Sequence, residues 1–235
     1  MKIKNYIINE KFYSKKNLVY KITVFLTSPL DLKFKTYSNS QYIFEKSKII
    51  NAVLKRYNKN RVHVKGKEVS ILTKLKEAKC NVPMIYLVNE DTIFMEYLEG
   101  KTLLNVIEEM EDSNLNSIQV LRNLYLWICD FYASLGGDII FGDVNLRNFI
   151  LNNEKIYGID FEDCRIGKKE EDMGKLCAYF LTYNPSFTDW KIKNVKDFFI
   201  MLINEFGFNQ DELLREIEKE LVAMERRRNE IYAFG

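Results

Sequence analysis

The stretch FGDVNLRNFILNNEKIYGIDFEDC, from Phe141 to Cys164, constrains the fold more than any other part of the chain. It reads as polar loop, apolar run, polar turn and second apolar run, the pattern of a β-hairpin with carboxylates at both ends. Long segments of helical periodicity lie on either side of it. Strands packed there strip water from Asp143 and Asp160, and desolvated carboxylates need hydrogen-bond donors or a cation. The fold must therefore seat a hairpin within a helical half and give its acidic ends something to do.

The first part of the chain has a different character. NLVYKITVFLTS, DLKFKTYSNSQYIFEKS and KIINAVLKRY are rich in β-branched and aromatic residues, and Ser-Pro and Ser-Asn-Ser punctuate them, so they read as strands joined by turns. From about Val64 the apolar positions Val69, Ile71, Leu72 and Leu75 recur at helical intervals until Asn81 and Pro83 stop the helix. MIYLV and TIFMEYLEG follow as two strands around a turn, closed by Gly100. Beyond them TLLNVIEEM, SIQVLRNLYLWICDFYASLGG, EEDMGKLCAYFLTY, VKDFFIMLINEFG and QDELLREIEKELVAMERRR carry helical patterns. The last has opposite charges at i,i+4 spacing. The order predicts an α+β fold with a strand-rich lobe holding one main helix and a mainly helical lobe interrupted by the hairpin.

A length of 235 residues favours one domain in two lobes, with 1–97 as the smaller and 98–235 as the helical one. Hydrophobic residues at 47% and charged residues at 29% suit a globular interior. The formal charge of +2 gives no reason to expect a membrane or direct nucleic-acid partner, so any phosphate binding has to be local. No apolar run of membrane-spanning length is present, and the N-terminus has no leader-like apolar core. Cys80, Cys129, Cys164 and Cys177 show no C-x-x-C spacing and sit in apolar surroundings, which points to buried free thiols and a cytoplasmic setting. His63 in its basic turn and the Arg226–Arg228 run read as solvated, and Trp127 and Trp190 as packing residues.

Asp143 and Asn148 stand five positions apart, the D-x-x-x-x-N spacing of kinase catalytic loops, where the carboxylate accepts the nucleophile's proton and the amide oxygen holds magnesium. Asp160 at the end of the second hairpin strand supplies a further oxygen ligand of the kind Mg²⁺ prefers. With FGDVNLRNFIL followed by IDFED, the chain resembles the protein-kinase-like superfamily. Within it, the similarity is to aminoglycoside phosphotransferases and choline kinases and to the small atypical kinases of the PRPK type. Those families show H-G-D-x-x-x-x-N and I-D-[FW]-[EG]. Gly142-Asp143, Glu162 in place of the protein-kinase glycine, and no lysine two places after Asp143 lean toward the small-molecule branch. CNVPMIYLVNEDTIFMEYLEGKTLLNVI is in turn similar to the matching run of PRPK-type kinases.

The resemblance implies roles for the first lobe. Lys55 in NAVLKRY would contact the α- and β-phosphates of ATP, and Glu68 at the opening of the helix would pair with it. The backbone of Glu96 and Leu98 in the inter-lobe hinge would bind adenine, with ATP lying between the lobes. Ser38, Asn39 and Ser40 are the candidates for the phosphate loop, since no G-x-G-x-x-G precedes Lys55. Phe141 is a second departure, standing where the family has a histidine that hydrogen-bonds backbone near the metal-binding aspartate. The expected activity is ATP- and Mg²⁺-dependent transfer of the γ-phosphoryl to a hydroxyl acceptor, with a small molecule as the main reading. The alternatives are a PRPK-type kinase or ATPase acting with a protein partner, and a pseudokinase interaction module.

Overall fold

The computed structural model describes residues 3–14, 16–35 and 42–233, with side chains placed outside 28–48 and 228–233. The chain divides into two compact units, Met1–Thr73 with Pro83–Leu98 and Lys74–Val82 with Glu99–Gly235. The fold is α+β, as the sequence predicts: an antiparallel sheet dominates the first unit and helices the second.

The first unit holds β1 (Ile3–Phe12), β2 (Leu18–Lys35), β3 (Tyr42–Arg56), β4 (Ile85–Val88) and β5 (Thr92–Glu96) in the order β1-β2-β3-β5-β4. Two-residue periodicity sorts β3 between the faces of the sheet. Ile50, Ala52 and Leu54 join Ile22, Val24, Leu26 and Phe94 in one cluster. Val53 and Tyr57 belong to the other, with Ile93, Met95 and Ile85, and Val69 of α1 (Val62–Glu77) packs there. Lys55 shares that second face by register, so the strand aims it toward α1.

Ser28-Pro29 does not end a strand as the sequence suggests. β2 runs through it, and its pairing with β3 slips between Phe25 and Leu30. Proline lacks an N–H for the ladder and is tolerated at such an irregularity. β1 was not foreseen as a separate strand; its side chains are mostly exposed, so it carries almost no burial pattern.

The second unit contains α2 (Leu103–Asp112), α3 (Ile118–Ser134), α4 (Lys169–Thr182), α5 (Asp189–Phe206) and α6 (Gln210–Ala233). The hairpin strands β8 (Phe149–Asn152) and β9 (Lys155–Gly158) form a small sheet with β6 (Lys101–Thr102), and β7 (Ile139–Ile140) pairs with β10 (Arg165–Ile166). Thr102 caps α2 through the Asn105 N–H, and Gly207 ends α5 with a left-handed φ of 68°. α4 and α6 approach closely at Gly174, where an added Cβ would lie 2.6 Å from the Glu216 Cβ. Among the described residues no helix is long and apolar enough to cross a membrane. All four cysteines are free thiols, and Cys80, Cys164 and Cys177 are buried.

Candidate functional site

The loop that follows β7 is held by its own backbone and by α4. Gly142 has a φ of 83°, and a Cβ there would sit 2.4 Å from the Asp163 carbonyl oxygen, so only glycine lets the loop pass residue 163 this closely. Asp143 follows, half-buried. The Asn148 amide nitrogen donates to the Asp143 backbone carbonyl at 2.9 Å and to its Oδ2 at 3.1 Å. Two acceptors around that nitrogen settle which end of the amide is which, and leave its oxygen as the group with affinity for a cation.

The loop is also tied to the hairpin. Asn148 closes a 3-10 turn over Leu146–Asn148, and its carbonyl accepts from the Ile159 N–H at 2.9 Å. Asp160 comes next, half-buried and with φ 63°, a left-handed conformation that aspartate tolerates better than most residues. The carboxylate and amide the sequence singled out are thus directly bonded, and Asp160 is one residue beyond a link to the main-chain carbonyl of Asn148. An amide oxygen and a carboxylate are hard donors of the type Mg²⁺ takes alongside phosphate oxygens. Among the described residues there is no group of three or more His, Cys, Asp or Glu that could hold a metal ion.

α4 supplies residues that the sequence reading missed. Asp172 is fully buried and accepts from the N–H groups of Phe141 and Gly142, both at 2.8 Å, and from the Tyr132 hydroxyl at 2.9 Å. Burial pushes its pKa above the ordinary carboxyl value, and these three hydrogen bonds and Lys175 oppose the rise. The Lys175 ammonium donates to the Gly142 carbonyl at 2.7 Å. The Tyr183 hydroxyl donates to Asn145 Oδ1 at 2.8 Å and accepts from the Leu146 N–H at 3.0 Å. Their helical spacing can be read in the sequence, but among the other polar residues of α4 it does not say which loop they meet.

Phe141, the departure from the family's histidine, is buried in an aromatic cluster. Its ring centroid lies 5.3 Å from both Phe149 and Phe161 and 5.5 Å from Phe131. Trp127 meets the same cluster and donates its indole N–H to the Asn81 carbonyl at 3.0 Å. Support for the loop at this point comes from Asp172 acting on the backbone, so a hydrogen-bonding side chain at 141 is not needed to hold it.

In the sheet unit Lys55 and Glu68 are bonded and buried, at 5% and 1% exposure. The ammonium donates to Glu68 Oε1 at 3.0 Å and Oε2 at 2.8 Å. Tyr57, two residues along the same strand face, also donates its hydroxyl to Glu68. It was not singled out from the sequence, although period-two spacing from Lys55 points to it. Glu96 commits its N–H to the Met84 carbonyl at 2.8 Å and its Oε2 to the Met84 N–H at 3.0 Å, so the Glu96 N–H is spent within the sheet. Leu98 is half-buried just past β5. Ser38, Asn39 and Ser40 lie outside the described residues.

A sheet unit with a buried lysine–glutamate pair, and a helical unit with an Asp-to-Asn loop ahead of a hairpin, define the protein-kinase-like class. Within it the chain belongs to the RIO domain family, which matches residues 14–172. Similar proteins include the EKC/KEOPS complex subunit BUD32 of Encephalitozoon cuniculi, 36% identical over 125 residues, 53% of this chain and 54% of that protein. The probable serine/threonine-protein kinase BUD32 homolog of Archaeoglobus fulgidus is 29% identical over 134 residues, 57% of this chain and 62% of its own length. The KEOPS complex subunit Bud32 of Pyrococcus abyssi is 32% identical over 97 residues, 40% of this chain and 42% of that protein. The chain therefore spans about half the length of the curated relatives it matches.

Proposed function

We propose that this chain is an ATP-dependent phosphotransferase whose acceptor hydroxyl belongs to a protein, and that it works beside a protein partner. The observation that carries the reading is the Asp143–Asn148 pair, in which the amide nitrogen anchors the carboxylate and its backbone carbonyl together. Names of relatives support the protein-directed side of it: one is called a probable serine/threonine-protein kinase and others are called complex subunits. Nothing in those names favours the small-molecule acceptor that the Gly142-Asp143 and Glu162 pattern led us to expect. Residues 1–97 act as the nucleotide-binding lobe and 98–235 as the catalytic one, and the free thiols are consistent with a cytoplasmic setting.

In the proposed reaction the acceptor oxygen bonds to the γ-phosphorus, the bond from that phosphorus to the β–γ bridging oxygen breaks, and ADP leaves. Asp143 orients the hydroxyl and takes its proton. Lys55, aimed by Glu68 and Tyr57, meets the α- and β-phosphates as a point charge. Asn148 through its oxygen and Asp160 through its carboxylate are the residues that would hold Mg²⁺, which when bound neutralises charge on the phosphates. Glu96, with its N–H already used, contributes its carbonyl to the adenine, and Leu98 its backbone. The protein's share of the work is positioning and charge stabilisation.

The test is labelled ATP with the intact chain and with Asp143→Ala, read as transfer to a protein acceptor or to the chain itself. Thermal shift with ATP, with and without Mg²⁺, accompanies it. Metal-dependent stabilisation with turnover lost in Asp143→Ala is expected. Equal rates for both chains would refute the role of Asp143, and absence of any ATP response would favour a pseudokinase.

A further inference from the structure

α4 and its C-cap present a file of polar side chains to the loop: Asp172, Lys175 and Tyr179, spaced so that they share one side of the helix, and Tyr183 just past its end. They meet the loop in order. Asp172 takes the Phe141 and Gly142 N–H groups, Lys175 the Gly142 carbonyl, and Tyr183 the Asn145 side chain and Leu146 N–H. Tyr179 alone reaches the carboxylate on which the proposed reaction depends, its hydroxyl donating to Asp143 Oδ1 at 3.2 Å.

We infer that Tyr179 is a positioning residue for Asp143, fixing the carboxylate plane together with Asn148. An aspartate's terminal torsion is broad and roughly two-fold, so one hydrogen bond leaves the carboxylate room to turn. Here one oxygen is held from the loop, by Asn148 Nδ2 at 3.1 Å from Oδ2, and the other from α4. Each carboxylate oxygen keeps further acceptor capacity, so an incoming hydroxyl still has a lone pair to meet. The tyrosine is itself restrained: its ring stacks on Tyr183, with centroids 6.5 Å apart and planes 23° from parallel. Burial, and next the proximity of the Asp143 carboxylate, raises the phenol pKa far above its ordinary value. Tyr179 is therefore a donor throughout the physiological range.

If Tyr179 only filled space under the loop, losing its oxygen would change nothing. The consequence for turnover rests on the phosphotransferase reading, while the contact itself does not. In the full chain, Tyr179→Phe is expected to lower the melting temperature by only about 2–4 °C, leaving the chain folded at the assay temperature, to keep the KM for ATP and to lower kcat about tenfold, the scale of one hydrogen bond to a charged group. An unchanged kcat, or a kcat loss that merely follows a fall in melting temperature, overturns the inference. A second readout needs no turnover: the side-chain carboxyl resonance of Asp143 in ¹³C-aspartate-labelled protein, assigned by its disappearance in Asp143→Asn. Tyr179→Phe should move that resonance. If it stays in place the contact is refuted, and if it moves in a chain that transfers no phosphate, the contact stands and the proposed function fails instead.

Discussion

Replacing Asp172 by asparagine changes one oxygen for an amide nitrogen where two backbone donors converge. The Phe141 and Gly142 N–H groups each have their own carboxylate oxygen at 2.8 Å, so in Asp172→Asn one of them faces another donor. A hydrogen bond to a charged group contributes about 1.5–3 kcal/mol, and a buried donor left unmatched costs about 1–3 kcal/mol. Part of that loss is recovered, because the neutral amide escapes the desolvation that raises the Asp172 pKa. The net expectation is about 2–3 kcal/mol of stability, concentrated at the loop. Amide hydrogen exchange reads this directly: Phe141 and Gly142 should exchange about 30- to 150-fold faster, while core amides of the sheet unit keep their protection. A loop displaced by about 1 Å should also lose about a hundredfold in turnover. Unchanged exchange at both amides would refute the reasoning, since no other side chain on α4 accepts from them.

Two more outcomes follow from buried groups. Phe141→His restores the family's residue but sets an imidazole among rings 5.3 Å away, and should cost about 2–3 kcal/mol in urea unfolding without raising turnover. The Cys177 thiol is pushed by burial to about 12 from 9.0, so the unfolded chain ionises first. Between those values the folded state binds the extra proton and stability falls as pH rises, full below pH 9. At about pH 10.5 the wild type should have lost about 2 kcal/mol through this group relative to pH 8, a loss absent from Cys177→Ala.

Much of the site was legible because its signals are local. Asp143, Asn148 and Asp160 lie within a single stretch, where spacing and the flanking apolar runs carry the pattern. Lys55 and Glu68 needed a strand followed by a helix, and period two places the lysine on the face that α1 covers. Tyr57 was within reach of the same argument. Asp172 and Tyr179 were not, because their partners lie some 30 residues or more away in the chain and no local periodicity states which loop a helix will meet. β1 escaped for the opposite reason, being exposed along nearly its whole length and so leaving no trace in the hydrophobic pattern. The continuity of β2 through Pro29 was hidden because a slip in pairing absorbs the proline.

Gly174 gives α4 a bare stretch of backbone on the side away from the loop, and α6 lies against it with no side chain to act as a cushion. Farther along, the Thr182 hydroxyl, which donates to the Ala178 carbonyl of its own helix, lies 3.3 Å from the sulfur of Met224, so the two helices touch at a second point. α6 thus backs the face of α4 opposite the one that holds residues 141–146. The loop's support is therefore two layers deep, and a side chain in place of Gly174 would disturb it from a point that touches no residue of the site.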